Sequence, residues 1–192
     1  PDLALAAHSG RRRVLARVKE ASCTPVTVFD AVYDVRPTCA GPALTAGSTA
    51  VPGDDPAIVA WATEVAGFSL GAGDNEPAFS DPQRALGTAD GVTKVVSLGE
   101  GGTITLSFDT PITNGALWDL AVFENAFNDT FLELAFVEVS SDGQHFVRFD
   151  SAFRGEGPVS SGYGGDARDT CGLAGSYRTG FGTPFDLETL RN

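Results

Sequence analysis

Residues 131–143 read FLELAFVEVSSDG, and this stretch decides the fold. Apolar residues dominate it and an Asp-Gly pair follows, a pattern typical of a β-strand that enters a hairpin turn. Because strand side chains alternate between two faces, Glu133 shares a face with Ala135, and Glu138 shares the other with Phe136. Both faces are otherwise apolar, so we predict a central strand covered on both sides. A buried carboxylate needs a partner, which puts the two glutamates either at the strand ends or in a site.

Further strands are predicted on both sides of this stretch. GTITLSFD (102–109) alternates cleanly, as a strand with one wet face does. LWDLAVFEN (117–125) carries apolar residues on both faces, and QHFVRFD (144–150) and TKVVSLG (93–99) are further candidate strands. We therefore predict an all-β fold, a two-layer β-sandwich with loops over one end.

The composition agrees with many short strands joined by tight turns. The 192 residues include 23 glycines, 11 prolines and 13 phenylalanines, and a chain of this length suits one domain with an appendage. Residues 40–57 are rich in Ala, Gly, Pro, Ser and Thr and lack periodicity, which indicates a connector. We assign residues 1–56 to an N-terminal extension and residues 57–192 to the β-sandwich domain.

The N-terminal extension offers two patterns. RRRVLARVKEA (11–21) has helical spacing, and we interpret it as a short solvated helix or a linker, with a basic arm for a partner as the alternative. CTPVTVFDAVYDVRPTC (23–39) alternates like a hairpin, which a disulfide between Cys23 and Cys39 would staple. Three buried thiols are the alternative to that disulfide.

The charge is strongly negative and unevenly distributed. The net charge is −12, but five basic residues crowd the first twenty positions, and from residue 23 onward 8 basic residues face 23 acidic ones. A field of this sign repels phosphate backbones and anionic membranes, so nucleic acid is not the expected ligand. No apolar stretch approaches the roughly 20 residues needed to span a bilayer, so we expect no membrane insertion.

Five segments together resemble a family of largely uncharacterised secreted bacterial proteins, often called cell-surface proteins or carrying a PEP-CTERM sorting tail. The segments are ALG (85–87), VVSLGEGGTITLSFDTPITNG (95–115), VFENAF (122–127), ELAFVEVSSDGQHFVRF (133–149) and LAGSYRTGFGTPFDLETL (173–190). The resemblance implies an extracellular or cell-surface β-sandwich of jelly-roll or galactose-binding-like type, without an established enzymatic activity.

This chain departs from the family pattern in two places. Thr88-Ala89-Asp90 stands where the family shows a proline, and family members continue past PFDL (184–187) into further strands. We therefore expect the domain to lack its last strands. A sheet without its edge strand can accept a strand from another chain.

Acidic and amide side chains at strand ends form the candidate metal site. The candidates are Glu124, Asn125, Glu133 and Asp186. Calcium binds six to eight hard oxygen ligands, and glycine-rich loops can add carbonyls, so calcium is the expected ion. No contiguous calcium-loop motif is present. The alternative is that Glu124 and Glu133 accept backbone hydrogen bonds that pin the loop at 125–131.

The glycine-rich segment at 154–184 carries aromatic residues that could stack on a sugar. Tyr163, Tyr177 and Phe181 are the candidate ligand-binding residues, because loops of a sandwich commonly carry recognition. Asn128-Asp129-Thr130 also matches an N-glycosylation sequon, which agrees with an exposed loop.

Catalysis is weakly indicated. No G-x-S-x-G motif is present, and we assign no catalytic residues. Paired carboxylates make a glycoside hydrolase the least unlikely enzyme. We therefore expect a non-catalytic extracellular or cell-surface recognition module, stabilised by calcium, that binds a glycan or a similar neutral ligand. The alternative is a structural or assembly subunit that completes its sheet with a strand from a partner chain.

Overall fold

The computed structural model describes residues 10–18, 26–35, 39–73, 77–90, 94–155 and 165–190. Within these residues the regular elements are short β-strands in small antiparallel sheets and single 3₁₀ turns, which confirms the all-β prediction. The strands are β1 (Gly10–Val18), β2 (Val26–Val35), β3 (Val51–Pro52), β4 (Glu64–Ser69), β5 (Thr103–Ser107), β6 (Leu120–Phe123), β7 (Glu138–Val139), β8 (Val147–Arg148), β9 (Ala152–Phe153), β10 (Thr170–Cys171) and β11 (Phe181–Phe185). The 3₁₀ turns are Pro77–Phe79, Pro82–Ala85, Ala167–Asp169 and Leu187–Leu190.

The chain divides into two compact units, residues 1–38 and residues 39–192. In the first unit β1 pairs antiparallel with β2, from Gly10 opposite Val35 to Val18 opposite Val26, with a register shift after Ala16. The prediction of a helix or linker at 11–21 is therefore wrong for the described part of that segment. Residues 26–35 form one strand rather than a hairpin of their own, because β1 supplies the pairing partner.

The second unit begins before the predicted boundary at residue 57. Val51 pairs with Gly182 of β11, and the Thr49 hydroxyl lies 2.9 Å from the Tyr177 hydroxyl. Residues 40–56 are thus part of the second unit and not a free connector, because backbone pairing holds them to β11 and a hydrogen bond holds them to Tyr177.

The predicted disulfide is corrected by the structure. Cys39 is bonded to Cys171, with the two Cα atoms 4.8 Å apart, so it cannot also pair with Cys23. The bond joins positions separated by 132 residues because residue 39 lies beside β10 in the folded unit. Cys23 itself lies outside the described residues.

The central sheet has the order β3–β11–β6. In the pairing of β11 with β6, Thr183 lies opposite Val122 and Phe185 lies opposite Leu120. The other pairs of the second unit are β4 with β5, β7 with β8 and β9 with β10. The strand at 103–107 confirms the strand predicted at 102–109, whereas residues 94–99, predicted as a strand, form no regular strand.

Two groups of buried side chains form the core. The Tyr177 cluster consists of Ala43, Ala167 and Tyr177, with Ala50 and Phe181 packed against it. The Phe149 cluster consists of Phe149, Ala174 and Phe185, with Leu120, Val122, Ala135, Val137, Val139, Leu187 and Leu190 packed against it. Phe181 and Phe185 share a face of β11 by alternation, so this face contributes to both clusters.

The segment at 131–139 is covered only in part on each face, since Leu132 is buried whereas Glu133 on the other face is exposed. Ala135 forms a bridge with Ala174, and the Phe149 N–H donates to the Val137 carbonyl at 3.0 Å. These residues face the Phe149 cluster, whereas Phe136 on the opposite face is 62% exposed. The prediction of a strand buried on both faces is therefore wrong at Phe136 and Glu133, which are exposed, although Leu132 on the Phe136 face is buried.

None of the helical turns in the described residues has the length and apolar character that a membrane-crossing helix requires.

Candidate functional site

Glu124 lies directly after β6, where the apolar strand LAVF meets the loop that carries residues 124–131. Its Oε2 accepts the Ala126 N–H at 2.6 Å, and its carboxylate also accepts the Asn125 N–H. These two hydrogen bonds direct the Glu124 carboxylate toward the backbone of the two residues that follow it. They agree with the interpretation in which Glu124 accepts backbone hydrogen bonds that pin this loop.

Glu133 is the acidic side chain that acts on Glu124, both through its charge and through side-chain hydrogen bonding, although the two residues are nine positions apart in the chain. Glu133 lies two residues before Ala135, and alternation directs both toward the sheet that carries β6. The structure therefore brings together two of the four candidate ligand residues, Glu124 and Glu133.

The environment of Glu124 favours its neutral form. Burial raises the pKa of Glu124 to about 7, and the negative charge of Glu133 and the hydrogen bond between the two side chains act in the same direction. The N–H groups of Asn125 and Ala126 oppose this shift, but they do not cancel it. Near neutral pH a substantial fraction of the Glu124 side chains is therefore protonated.

Thr183 is the polar residue of β11 on the same side of the sheet. It is 6% exposed, and its Oγ1 has no hydrogen-bond partner among the described residues. Thr183 lies opposite Val122, and Glu124 follows Val122 by two residues, so alternation places Thr183 and Glu124 on one face. The sequence prediction missed Thr183, because a threonine in a strand is ordinarily a packing residue.

Asp186 does not join this group. Its Oδ1 accepts the Glu188 N–H at 2.8 Å and its carbonyl accepts the Thr189 hydroxyl at 2.6 Å, so it caps the 3₁₀ turn Leu187–Leu190. Among the residues that the structure describes, no three His, Cys, Asp or Glu side chains are grouped as metal ligands. The four predicted ligands are thus reduced to Glu124 and Glu133, with Asn125 beside them in the chain.

The loop after Glu124 is held by several further contacts. The Asn128 Oδ1 accepts N–H groups of Thr130 and Phe131, and the Thr179 N–H donates to the Ala126 carbonyl at 2.9 Å. Asp129 forms a partly buried ion pair with Arg178. The segment after Gly175 therefore ties this loop to the strand β11 that follows.

The three predicted sugar-stacking residues lie in different surroundings. Tyr177 is 3% exposed, and its hydroxyl forms a hydrogen bond with the Thr49 hydroxyl. Its ring therefore belongs to the core and offers no face to a ligand. Phe181 is half-buried against the Tyr177 cluster. Tyr163 lies outside the described residues. The prediction for Tyr177 is wrong because a glycine-rich sequence does not reveal that this part of the segment is packed inside.

An exposed aromatic side chain lies with an ion pair on the outer face of β7 and β8. The Arg148 guanidinium lies 4.4 Å from the centre of the Phe136 ring, and its Nη2 is 2.7 Å from the Glu138 Oε1. Glu138 is paired with Arg148 across the two strands, and Phe136 precedes Glu138 by two residues on the same face. We name these three residues the outer platform. Alternation in the sequence placed Phe136 and Glu138 together, but the prediction had their face covered.

Comparison of the chain with protein-family models, with curated proteins and with solved structures found no match. Its function therefore has to be inferred from the geometry of the carboxyl pair and the outer platform.

Proposed function

We propose that the protein is a non-catalytic recognition domain, secreted or displayed at a cell surface, that binds a neutral glycan. The finer architecture that we propose is a two-layer β-sandwich of the jelly-roll or galactose-binding-like type. The disulfide between Cys39 and Cys171 supports an extracytoplasmic location, because structural disulfides persist mainly in oxidising compartments.

The outer platform is the observation that carries this proposal. A sugar ring presents an apolar C–H face and a rim of hydroxyls. The Arg148 guanidinium covers one face of the Phe136 ring, and the remaining exposed surface of the ring is available to the apolar face of a sugar. Arg148 and Glu138 offer a fixed donor and acceptor next to that surface. The ion pair holds the Arg148 side chain in place, which lowers the entropy that binding would cost.

The charge of the chain supports a neutral ligand. From residue 23 onward 23 acidic residues outnumber 8 basic ones, so a phosphorylated or sulfated partner meets a repulsive field. An uncharged glycan does not experience this repulsion.

Glycan binding can be tested on an array and then by titration of the best ligand. Phe136→Ala is expected to weaken binding at least about tenfold, since it removes the stacking surface. Phe127→Ala is the matched control, because Phe127 is 74% exposed in the loop after β6 and is not part of the platform. Equal affinities of the Phe136→Ala variant and the unaltered protein would contradict the proposal.

The carboxyl pair does not fit glycoside hydrolysis. The two catalytic carboxyl groups of such enzymes stand roughly 5–9.5 Å apart across a cleft. Glu124 and Glu133 lie close enough for Glu133 to raise the pKa of Glu124, and Glu124 is half-buried. Two carboxyl groups that act on each other this closely do not stand on opposite sides of a sugar-binding cleft.

Assembly through strand addition is the second candidate function. Within the described residues β5 pairs with β4 on one side and with no strand on the other, so five residues of backbone form an open edge. Size-exclusion chromatography with light scattering tests this candidate: a monomer at high micromolar concentration would contradict self-assembly, and a concentration-dependent dimer would support it.

A further inference from the structure

We propose that a calcium ion binds between the Tyr177 cluster and the Phe149 cluster, held by the carboxylates of Glu124 and Glu133 and by the hydroxyl of Thr183. This inference goes beyond glycan recognition and does not depend on it.

The topology brings the three side chains to one place. Glu124 follows β6, and Thr183 lies on β11, the strand paired with β6. Glu133 belongs to the segment whose Ala135 packs against the same sheet. Phe181 and Phe185 flank Thr183 on its face of β11, one in each cluster. Thr183 therefore lies between two apolar groups, with Glu124 half-buried on the same face and Glu133 exposed to solvent.

The unsatisfied hydroxyl of Thr183 is evidence for a bound ligand that does not depend on the two glutamates. Its Oγ1 is buried and has no hydrogen-bond partner among the described residues. Buried polar groups are nearly always satisfied, and each exception requires an explanation such as an ion or an ordered water. A cation that the two carboxylates attract would accept this oxygen as a neutral ligand.

The chemistry of the donors fits calcium better than other common ions. Calcium takes six to eight oxygen ligands with flexible geometry, and two carboxylates can supply up to four of them in bidentate mode. Thr183 adds a hydroxyl, and carbonyls of the 124–131 loop or waters can complete the shell. Zinc prefers nitrogen and sulfur ligands, whereas all three side chains offer oxygen. The double positive charge also removes the repulsion between the two carboxylates.

The test measures thermal unfolding of the whole chain in EDTA and in calcium chloride. We expect calcium to raise the Tm of the unaltered protein in a concentration-dependent manner. Magnesium chloride at equal concentration is expected to raise it much less, because magnesium requires a strict octahedral shell. An unchanged Tm in calcium would overturn the proposal, and equal stabilisation by magnesium would overturn the assignment of the ion.

The Thr183→Val variant distinguishes a hydroxyl that binds calcium from one with a purely structural role, because valine keeps the side-chain shape and removes the oxygen. In EDTA the Thr183→Val variant is expected to be at least as stable as the unaltered protein, since an unsatisfied buried hydroxyl is lost. In calcium it is expected to be less stable, with calcium affinity by titration calorimetry reduced about tenfold. A shift of the same sign in both buffers, with unchanged affinity, would overturn the role of Thr183.

Two acid variants complete the test. Glu133→Gln is expected to abolish calcium binding at micromolar concentrations while the protein still folds in EDTA. Asp186→Asn is the matched control, because Asp186 caps a 3₁₀ turn away from the pair and asparagine is an equally good cap. Calcium binding that Asp186→Asn abolishes and Glu133→Gln leaves intact would place the ion elsewhere. Glycan binding is measured separately on each variant, so failure of the metal site is distinguishable from failure of the outer platform.

Discussion

Cys39 and Cys171 are joined by a disulfide that ties the first residue of the second unit to β10. The bond closes a loop of 132 residues, and a loop of this size loses much conformational freedom in the unfolded chain. Replacement of both cysteines by serine should lower the free energy of unfolding by about 2–5 kcal/mol in urea titrations. A peptide map of the unreduced protein should contain the Cys39–Cys171 pair, and a Cys23–Cys39 pair would contradict the structure.

Gly175 supports the carboxyl pair through the backbone of Glu133. Its φ is +79°, and a Cβ at this position would overlap the Glu133 carbonyl oxygen. Gly175→Ala should therefore destabilise the protein by about 2–4 kcal/mol, through backbone strain and through displacement of the Glu133 backbone.

Gly47→Ala separates these two causes. Gly47 has a similar φ of +78°, but no atom outside its chain neighbours lies within 4 Å of the point where a Cβ would stand, so only the strain of about 1–2 kcal/mol remains. Equal losses of stability in the two variants, measured by urea unfolding, would show that Glu133 is not in contact with residue 175.

The raised pKa of Glu124 predicts how stability depends on pH in EDTA. The folded pKa of about 7 lies above the ordinary value of 4.5, so the folded state binds more protons than the unfolded state between these values. The contribution of Glu124 to the free energy of unfolding should therefore be greatest below about pH 4.5 and should fall as the pH rises toward 7. The full change is roughly 3 kcal/mol.

Glu124→Gln provides the control for this pH dependence. Glutamine stays neutral at every pH, so the variant should lose the decline in stability between pH 4.5 and 7, as measured by urea unfolding at several pH values. A decline of the same size in both proteins would mean that another group is responsible.

Asp142 predicts an effect of the opposite sign in the turn at 140–145. The N–H of His145 holds the pKa of Asp142 well below its usual range, with help from the His145 ring, the Gln144 N–H and the Ser140 hydroxyl. A lowered folded pKa contributes stability above the ordinary value of 3.8, and this contribution is lost as the pH falls toward the folded pKa. In a carboxyl ¹³C titration, Asp142 should titrate later on acidification than exposed aspartates, and an ordinary midpoint would contradict the turn geometry.

The local features of this fold could be predicted from the sequence. The alternation of residues 102–109 indicated β5, and the Asp-Gly pair at 142–143 indicated the turn between β7 and β8. Such features depend on side chains only a few residues apart, so the sequence contains all of their partners.

The remaining features depend on partners far away in the chain. The faces of residues 131–139 followed from alternation, but whether a layer covers Phe136 depends on distant segments. Cys39 likewise found a partner 132 residues away. Glu124 and Glu133 were predicted in one site because both end near the same loop, whereas Asp186 is satisfied by its own neighbours. The sequence does not reveal that the Thr183 hydroxyl is buried without a hydrogen-bond partner among the described residues, because this depends on the packing around β11.

The bond between Cys39 and Cys171 also determines what a protease can do to this molecule. A single cut anywhere between those two residues produces two fragments that stay covalently attached to each other. The strand pairs on either side of the nick then keep their partners at high effective concentration. In surroundings rich in proteases, the second unit can be nicked without falling apart until a reductant reaches the bond.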